Sequence, residues 1–166
     1  MRWRFQGHAK SDSDGRRQDR NSRERMTGMN KKVLHVDDDP QILRLVGRQL
    51  SNAGYEVISL DQPEKTMKTL LDSSIRVCIL DIEMPRINGL DLLRDIKQYD
   101  GGIQVVMLTG LVTLSTVLDS MRYGAEGCLF KPVNDFAPLI ETLTAAFSKN
   151  ERWWIALHDL KQRQLA

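Results

Sequence analysis

From Lys31 onward the chain alternates between two hydrophobic rhythms. Short continuous apolar runs recur at Lys32–Asp37, Tyr55–Ser59, Ile75–Asp81, Ile103–Thr109 and Glu126–Phe130, and each predicts a buried strand. Between them the apolar residues fall at helical spacing. Gln41–Ala53 carries Ile42, Leu43, Leu45, Val46 and Leu50, and Gly54 follows as a stop signal. Pro63–Ser73, Gly89–Tyr99 and Val112–Tyr123 predict three more helices, the last weakened by β-branched Thr and Val. Asp135 predicts the cap of a fifth, with Leu139, Ile140, Leu143 and Phe147 on one face. Strands alternating with helices throughout 31–148 predict an open parallel sheet covered on both faces. Ligands of such sheets bind beyond the C-terminal strand ends, where the strand order switches.

The first thirty residues have no such rhythm. Between Gly7 and Arg25 there is no Val, Ile, Leu, Met, Phe, Tyr or Trp. This stretch cannot bury enough surface to offset its ordering entropy, and we expect residues 1–30 to be a disordered basic tail. Residues 1–32 hold ten Lys/Arg against four acids, whereas 33–166 hold 14 against 18. The net charge of +2 therefore conceals a basic tail before an acidic body. A solvated tail is the preferred reading over an arm for nucleic acid or anionic lipid. Met26 and Met29 precede the folded pattern, and either can serve as a translation start.

Composition narrows the class. At 166 residues, 41% hydrophobic and 28% charged, the chain has the material for one globular domain with something left over. No apolar run approaches the ~20 residues of a membrane helix, and no signal-peptide core follows the start. Two cysteines are not a disulfide framework, so a reducing cytoplasm is expected.

The predicted strand ends converge on one chemistry. Strand one ends in Asp37-Asp38-Asp39, strand three in Asp81, strand four in Thr109 and strand five in Lys131. Clustered carboxylates repel by about 4 kcal/mol per pair at 4 Å and an effective dielectric near 20. A divalent cation relieves that. Oxygen donors without Cys or His suit Mg²⁺. A carboxylate can also attack phosphorus to form an acyl phosphate. Mg²⁺, the Lys131 ammonium and the Thr109 hydroxyl can then stabilise the transferred group.

Val36-Asp37-Asp38-Asp39-Pro40, Leu80-Asp81-Ile82-Glu83-Met84-Pro85 with Asn88-Gly89, Thr109-Gly110 and Phe130-Lys131-Pro132 stand in family order and spacing. By these motifs residues 31–148 resemble the receiver domain of bacterial response regulators, the phospho-acceptors of two-component systems. The resemblance implies a flavodoxin-like, doubly wound α/β fold. It would have five parallel strands in the order 2-1-3-4-5 and five helices. It implies that Asp81 is the phosphorylated residue. Asp38 and Asp81 would bind Mg²⁺ with the Glu83 backbone carbonyl, and Asp37 would act through a bound water. Thr109 and Lys131 would contact the phosphoryl oxygens, and the Lys131–Pro132 bond would be cis. The donor would be a histidine kinase or phosphotransfer protein. The expected protein is a single-domain regulator that signals by protein–protein contact and is no enzyme beyond its own phosphorylation and dephosphorylation.

Other residues have plainer readings. Asp39 is the expected N-cap of the first helix, with Pro40 at its first position. His35 is expected to be a satisfied core histidine. Cys78 and Cys128 lie on strands separated by a third, nearly ten ångströms apart at ~4.8 Å per strand, and are read as buried thiols. Met67, Met107 and Met121 are read as core filler. The main departure from the family is Cys128, three residues before the lysine, where the family usually has Tyr or Phe. That puts the aromatic switch in doubt and leaves the acceptor chemistry intact. Glu83 and Leu111 are expected to influence hydrolysis of the acyl phosphate. Residues 149–166 predict a helical extension in which apolar residues crowd more than one face. Packing on its own domain and a partner or homodimer contact stand as equal readings. The rivals are a degenerate receiver that works unphosphorylated and a haloacid-dehalogenase-type phosphatase. The latter expects Thr or Val where Gln41 stands and has no need of Asp81.

Overall fold

The computed structural model describes residues 31–165; the expected basic tail lies outside the described residues. The chain runs β1 (Lys32–Val36), α1 (Pro40–Asn52), β2 (Glu56–Leu60), a 3₁₀ turn (Pro63–Lys65), α2 (Thr66–Leu71), β3 (Val77–Leu80) and α3 (Gly89–Tyr99). It continues with β4 (Gln104–Thr109), α4 (Leu114–Arg122), β5 (Gly127–Phe130) and α5 (Ala137–Leu165). The strands pair in parallel in the order β2-β1-β3-β4-β5. This is the flavodoxin-like fold that the motifs implied.

Side chains alternate across the sheet and build a core on each face. On one face Leu34, Val36, Cys78, Leu80, Val105 and Met107 meet Leu70 of α2 and Leu92, Leu93 and Ile96 of α3. On the other, Val33, Val77, Ile79, Val106 and Leu108 meet Val46 and Leu50 of α1 and Leu139, Leu143 and Ala146 of α5. Every residue of the central strands β3 and β4 is buried, as double coverage demands. Gly54 takes a positive φ of 88° at the end of α1. The chain thereby turns into β2 while the Tyr55 N–H bonds back to the Leu50 carbonyl.

Four expectations need correction. The segment from Pro63 opens as a 3₁₀ turn, and its α-helix ends at Leu71 rather than Ser73. Pro63 favours the tight turn because it lacks an N–H to bond. Met121 is 71% exposed, because the buried positions of α4 are Thr116 and Ser120. Cys128 is only half-buried, since β5 is an edge strand. His35 is buried but not satisfied: neither ring nitrogen has a hydrogen-bond partner among the described residues.

The C-terminal segment continues α5 without a break. The seam of that helix is buried at Leu139, Leu143, Ala146 and Asn150. At its far end the Gln104 side-chain amide donates to Asn150 Oδ1 at 3.1 Å, and Asn150 Nδ2 donates to the Arg76 carbonyl at 3.2 Å. Beyond this anchor the helix leaves the sheet, and Trp153 is 63% exposed.

Candidate functional site

The strand ends are held in place by their own backbones. The Asp37 N–H donates to the Leu60 carbonyl, the Asp81 N–H to the Val36 carbonyl and the Lys131 N–H to the Thr109 carbonyl. Each site residue therefore extends a sheet ladder by one step, and the ladder fixes where its side chain begins. Asp39 caps α1, its Oδ1 accepting from the Gln41 N–H at 2.8 Å, with Pro40 opening the helix. This is the expected capping role.

Carboxylate oxygens of Asp37, Asp38 and Asp81 all lie within 4.8 Å of one another. Asp37 and Asp81 are buried and Asp38 is exposed. Lys131 reaches into the group, its Nζ 2.6 Å from Asp37 Oδ2 and 3.0 Å from Asp81 Oδ2. The other oxygens accept from backbone: Asp37 Oδ1 from the Asp39 N–H at 2.9 Å, and Asp81 Oδ1 from the Ile82 N–H at 2.7 Å. Thr109 is fully buried at the end of β4, its hydroxyl accepting from the Leu111 N–H at 3.1 Å. The Lys131–Pro132 bond is cis.

Burial raises the Asp37 pKa above the ordinary carboxylate value, against the pull of Lys131 and the Asp39 N–H. Burial also works against the Lys131 ammonium, but its contacts with the Asp37 and Asp81 carboxylates overcome it and hold that pKa above the usual lysine value. The shared contact thus favours the cation more than the Asp37 anion. The 2.6 Å separation nevertheless has the length of a charge-assisted bond, and we take both groups as ionised at neutral pH.

One lysine facing three carboxylates leaves a local excess of negative charge. The donors are all oxygen, two of the three are buried, and their loops are anchored to the sheet. That set fits Mg²⁺, which takes few carboxylates and keeps water and phosphate ligands. Glu83 lies two residues past Asp81 in the loop to α3 and pairs with Asn88 in an isolated bridge. Asn88 caps α3 through Leu90 N–H, and Gly89 lies close against the backbone of Asp81 and Ile82.

Asp37, Asp38, Asp81 and Lys131 are thus brought together, and Thr109 joins them at the same sheet edge. Sequence reasoning missed the side chain under Asp37. His35 Nε2 is 3.9 Å from Asp37 Oδ2 and fully buried. The signal was available: a histidine two residues before an acid at a strand end shares its face.

Comparison with known proteins agrees with this geometry. The sequence pattern of the response regulator receiver domain matches residues 33–144, and the chain belongs to that family. The transcriptional regulatory protein GlrR of Escherichia coli K12 is 28% identical over 126 residues, which is 73% of this chain and 28% of that protein. The chain thus spans little more than a quarter of that relative. A response regulator receiver domain protein from Clostridium thermocellum superposes with a TM-score of 0.69 at 30% identity, covering 74% of this chain and 98% of that one. The response regulator TrrA from Thermotoga maritima, solved with Mg²⁺ and beryllofluoride, superposes with a TM-score of 0.64 at 30% identity, covering 70% and 98%.

Proposed function

We propose that residues 31–148 form a phospho-acceptor domain, and that Asp81 takes a phosphoryl group from a histidine kinase or phosphotransfer protein. The carboxylate trio, two of whose members share one lysine, carries this reading. An Asp81 oxygen forms the new O–P bond as the donor's P–N bond breaks, and the leaving imidazole takes up a proton. The backbone bond from Ile82 holds the carboxylate in orientation for that attack. The Lys131 ammonium neutralises charge on the phosphoryl oxygens, and the Thr109 hydroxyl donates to one of them. Asp37, Asp38, Asp81 and the Glu83 carbonyl would hold Mg²⁺, which when bound screens the carboxylates from the incoming anion. Dephosphorylation is attack of water on the same phosphorus, which breaks the Asp81 O–P bond, releases inorganic phosphate and restores the carboxylate.

The output we propose is contact with a downstream protein. Cys128 lies beside Met107 of β4 and lines a pocket of about 170 Å³ with Val117, Ser120, Met121 and Ala125. The family's ring would stand at this position, so the movement of Thr109 is transmitted through α4 instead. Addition of beryllofluoride should shift amide resonances of 112–123, and an unmoved segment would refute that route. We place the domain in the cytoplasm with the phosphoryl donors proposed above; of the described helices, none is long and apolar enough to cross a membrane.

The test is incubation with acetyl phosphate, read by intact mass. The wild type should gain one phosphate only with Mg²⁺, and Asp81→Asn should gain none. A folded wild type that takes no phosphate would favour a module working unphosphorylated. Turnover of phosphate esters would favour a phosphatase.

A further inference from the structure

Among the described residues, His35 is the one buried titratable group near the site that the proposed chemistry leaves unused. It lies in β1 two residues before Asp37, so both side chains project from the same face of the sheet. Val33 precedes it on that face, and Ile79 is its neighbour across the ladder. Its imidazole is fully buried, and neither nitrogen has a hydrogen-bond partner among the described residues. A ring buried in an apolar layer beside the Lys131 charge is uncharged and carries a single N–H. A valine or leucine would fill this apolar layer without burying an unpaired polar group.

The unpaired ring faces Asp37 Oδ2, 3.9 Å from Nε2. The same oxygen is now held by Lys131 at 2.6 Å. A phosphoryl group on Asp81 brings new acceptor oxygens that compete for the Lys131 ammonium. Asp37 Oδ2 is buried and already without a hydrogen-bond partner among the described residues, and as Lys131 turns to the phosphoryl oxygens it loses its ion pair too.

We infer that His35 is a positioning residue for Asp37, its Nε2–H donating to Asp37 Oδ2 once Lys131 moves to the phosphoryl group. This rests on the phospho-acceptor reading above. Closing 3.9 Å to a hydrogen bond of ~2.9 Å takes about 1 Å of side-chain movement. With Oδ1 already fixed by the Asp39 N–H, the second bond keeps the carboxylate from rotating and keeps it ionised while it faces the metal. The histidine thus replaces the lysine as the Asp37 partner in the activated state.

The test uses the full chain labelled with ¹⁵N-histidine, observed by NMR with Mg²⁺ alone and with Mg²⁺ plus beryllofluoride. The expected result is a neutral Nε2–H tautomer in both, with the Nε2 proton moving downfield and exchanging more slowly after beryllofluoride. With beryllofluoride present, His35→Leu should bind Mg²⁺ about tenfold more weakly than wild type, as outer-shell losses do, and without it the two should bind alike. His35→Gln, which retains an N–H donor, should recover most of that affinity. Urea unfolding separates this from a structural role, because His35→Leu should be at least as stable as wild type. A Nδ1–H tautomer, an Nε2 resonance indifferent to beryllofluoride, or equal Mg²⁺ affinity in wild type and His35→Leu with beryllofluoride present would overturn the inference. Failure of the wild type to respond to beryllofluoride at the Asp81 amide would refute the phospho-acceptor reading itself, and the His35 inference with it.

Discussion

Gly89 connects the fold to the chemistry most directly. It opens α3, is buried, and donates its N–H to the Ile82 carbonyl at 2.8 Å. A Cβ at this position would stand 1.8 Å from the Asp81 carbonyl oxygen and 2.7 Å from Ile82 Cα. Both are backbone atoms of the acceptor loop, so no rotamer change relieves the clash. Real Cβ contacts stay above 3.0 Å, so a gap of about 1.2 Å must open between α3 and the end of β3. Overpacking of this kind costs about 1–3 kcal/mol. Loss of the Gly89–Ile82 bond adds about 1 kcal/mol. The effect on the site is larger, because a misplacement of about 1 Å can slow a positioned reaction by about 100-fold. Gly89→Ala should therefore unfold at lower urea and take phosphate from acetyl phosphate far more slowly than wild type. Gly47→Ala is the control: its nearest neighbour is Ser59 Oγ at 3.7 Å, an ordinary contact. In mid-helix it should add about 0.5–1 kcal/mol of stability and leave phosphorylation unchanged. Wild-type stability and phosphorylation rate in Gly89→Ala would refute the close-approach argument.

Three further outcomes follow from the same structure. Asn150→Ala should cost about 1–3 kcal/mol in urea unfolding, since it removes two hydrogen bonds beneath α5, although the Gln104 amide keeps the Gly102 carbonyl and the Arg76 carbonyl keeps the Gln104 N–H. Asp39→Ala should cost about 1 kcal/mol through the lost cap and leave Mg²⁺ affinity unchanged by titration calorimetry, because Asp39 serves the helix and not the metal group. His35 binds its proton near pH 6.5 when unfolded and only near 3 when folded, so the unfolded state holds more protons between those values. Stability should therefore fall as pH drops below about 6.5, by up to about 1.4 kcal/mol per unit, and His35→Leu should lack that component in unfolding curves compared across pH.

Much of the fold was legible because both rhythms were strong. The buried runs of β3 and β4 and the seams of α1, α3 and α5 mark their elements in the chain itself. The strand-end residues were legible for a related reason: a parallel sheet brings the C-terminal ends of its strands to one edge, so residue types at those ends predict a site. What stayed hidden depended on three-dimensional surroundings. Met121 reads as core in a helical repeat, yet the repeat does not say which side of α4 the sheet covers. Cys128 reads as buried until its strand proves to be an edge. His35 reads as an ordinary core residue, because pairing of a buried ring depends on neighbours from other elements. The helical extension read correctly as helix, but only the anchor at Asn150 shows where it leaves the domain.

The central claim is that Asp81 carries the phosphoryl group. Borohydride reduction of the phosphorylated protein, followed by peptide mapping, tests it most directly, because an acyl phosphate is reduced where a free carboxylate is not. The account predicts a reduced residue at position 81 alone, present only after Mg²⁺-dependent phosphorylation. Reduction at Asp37, Asp38 or Asp39, or a phosphate adduct that resists reduction, would contradict it.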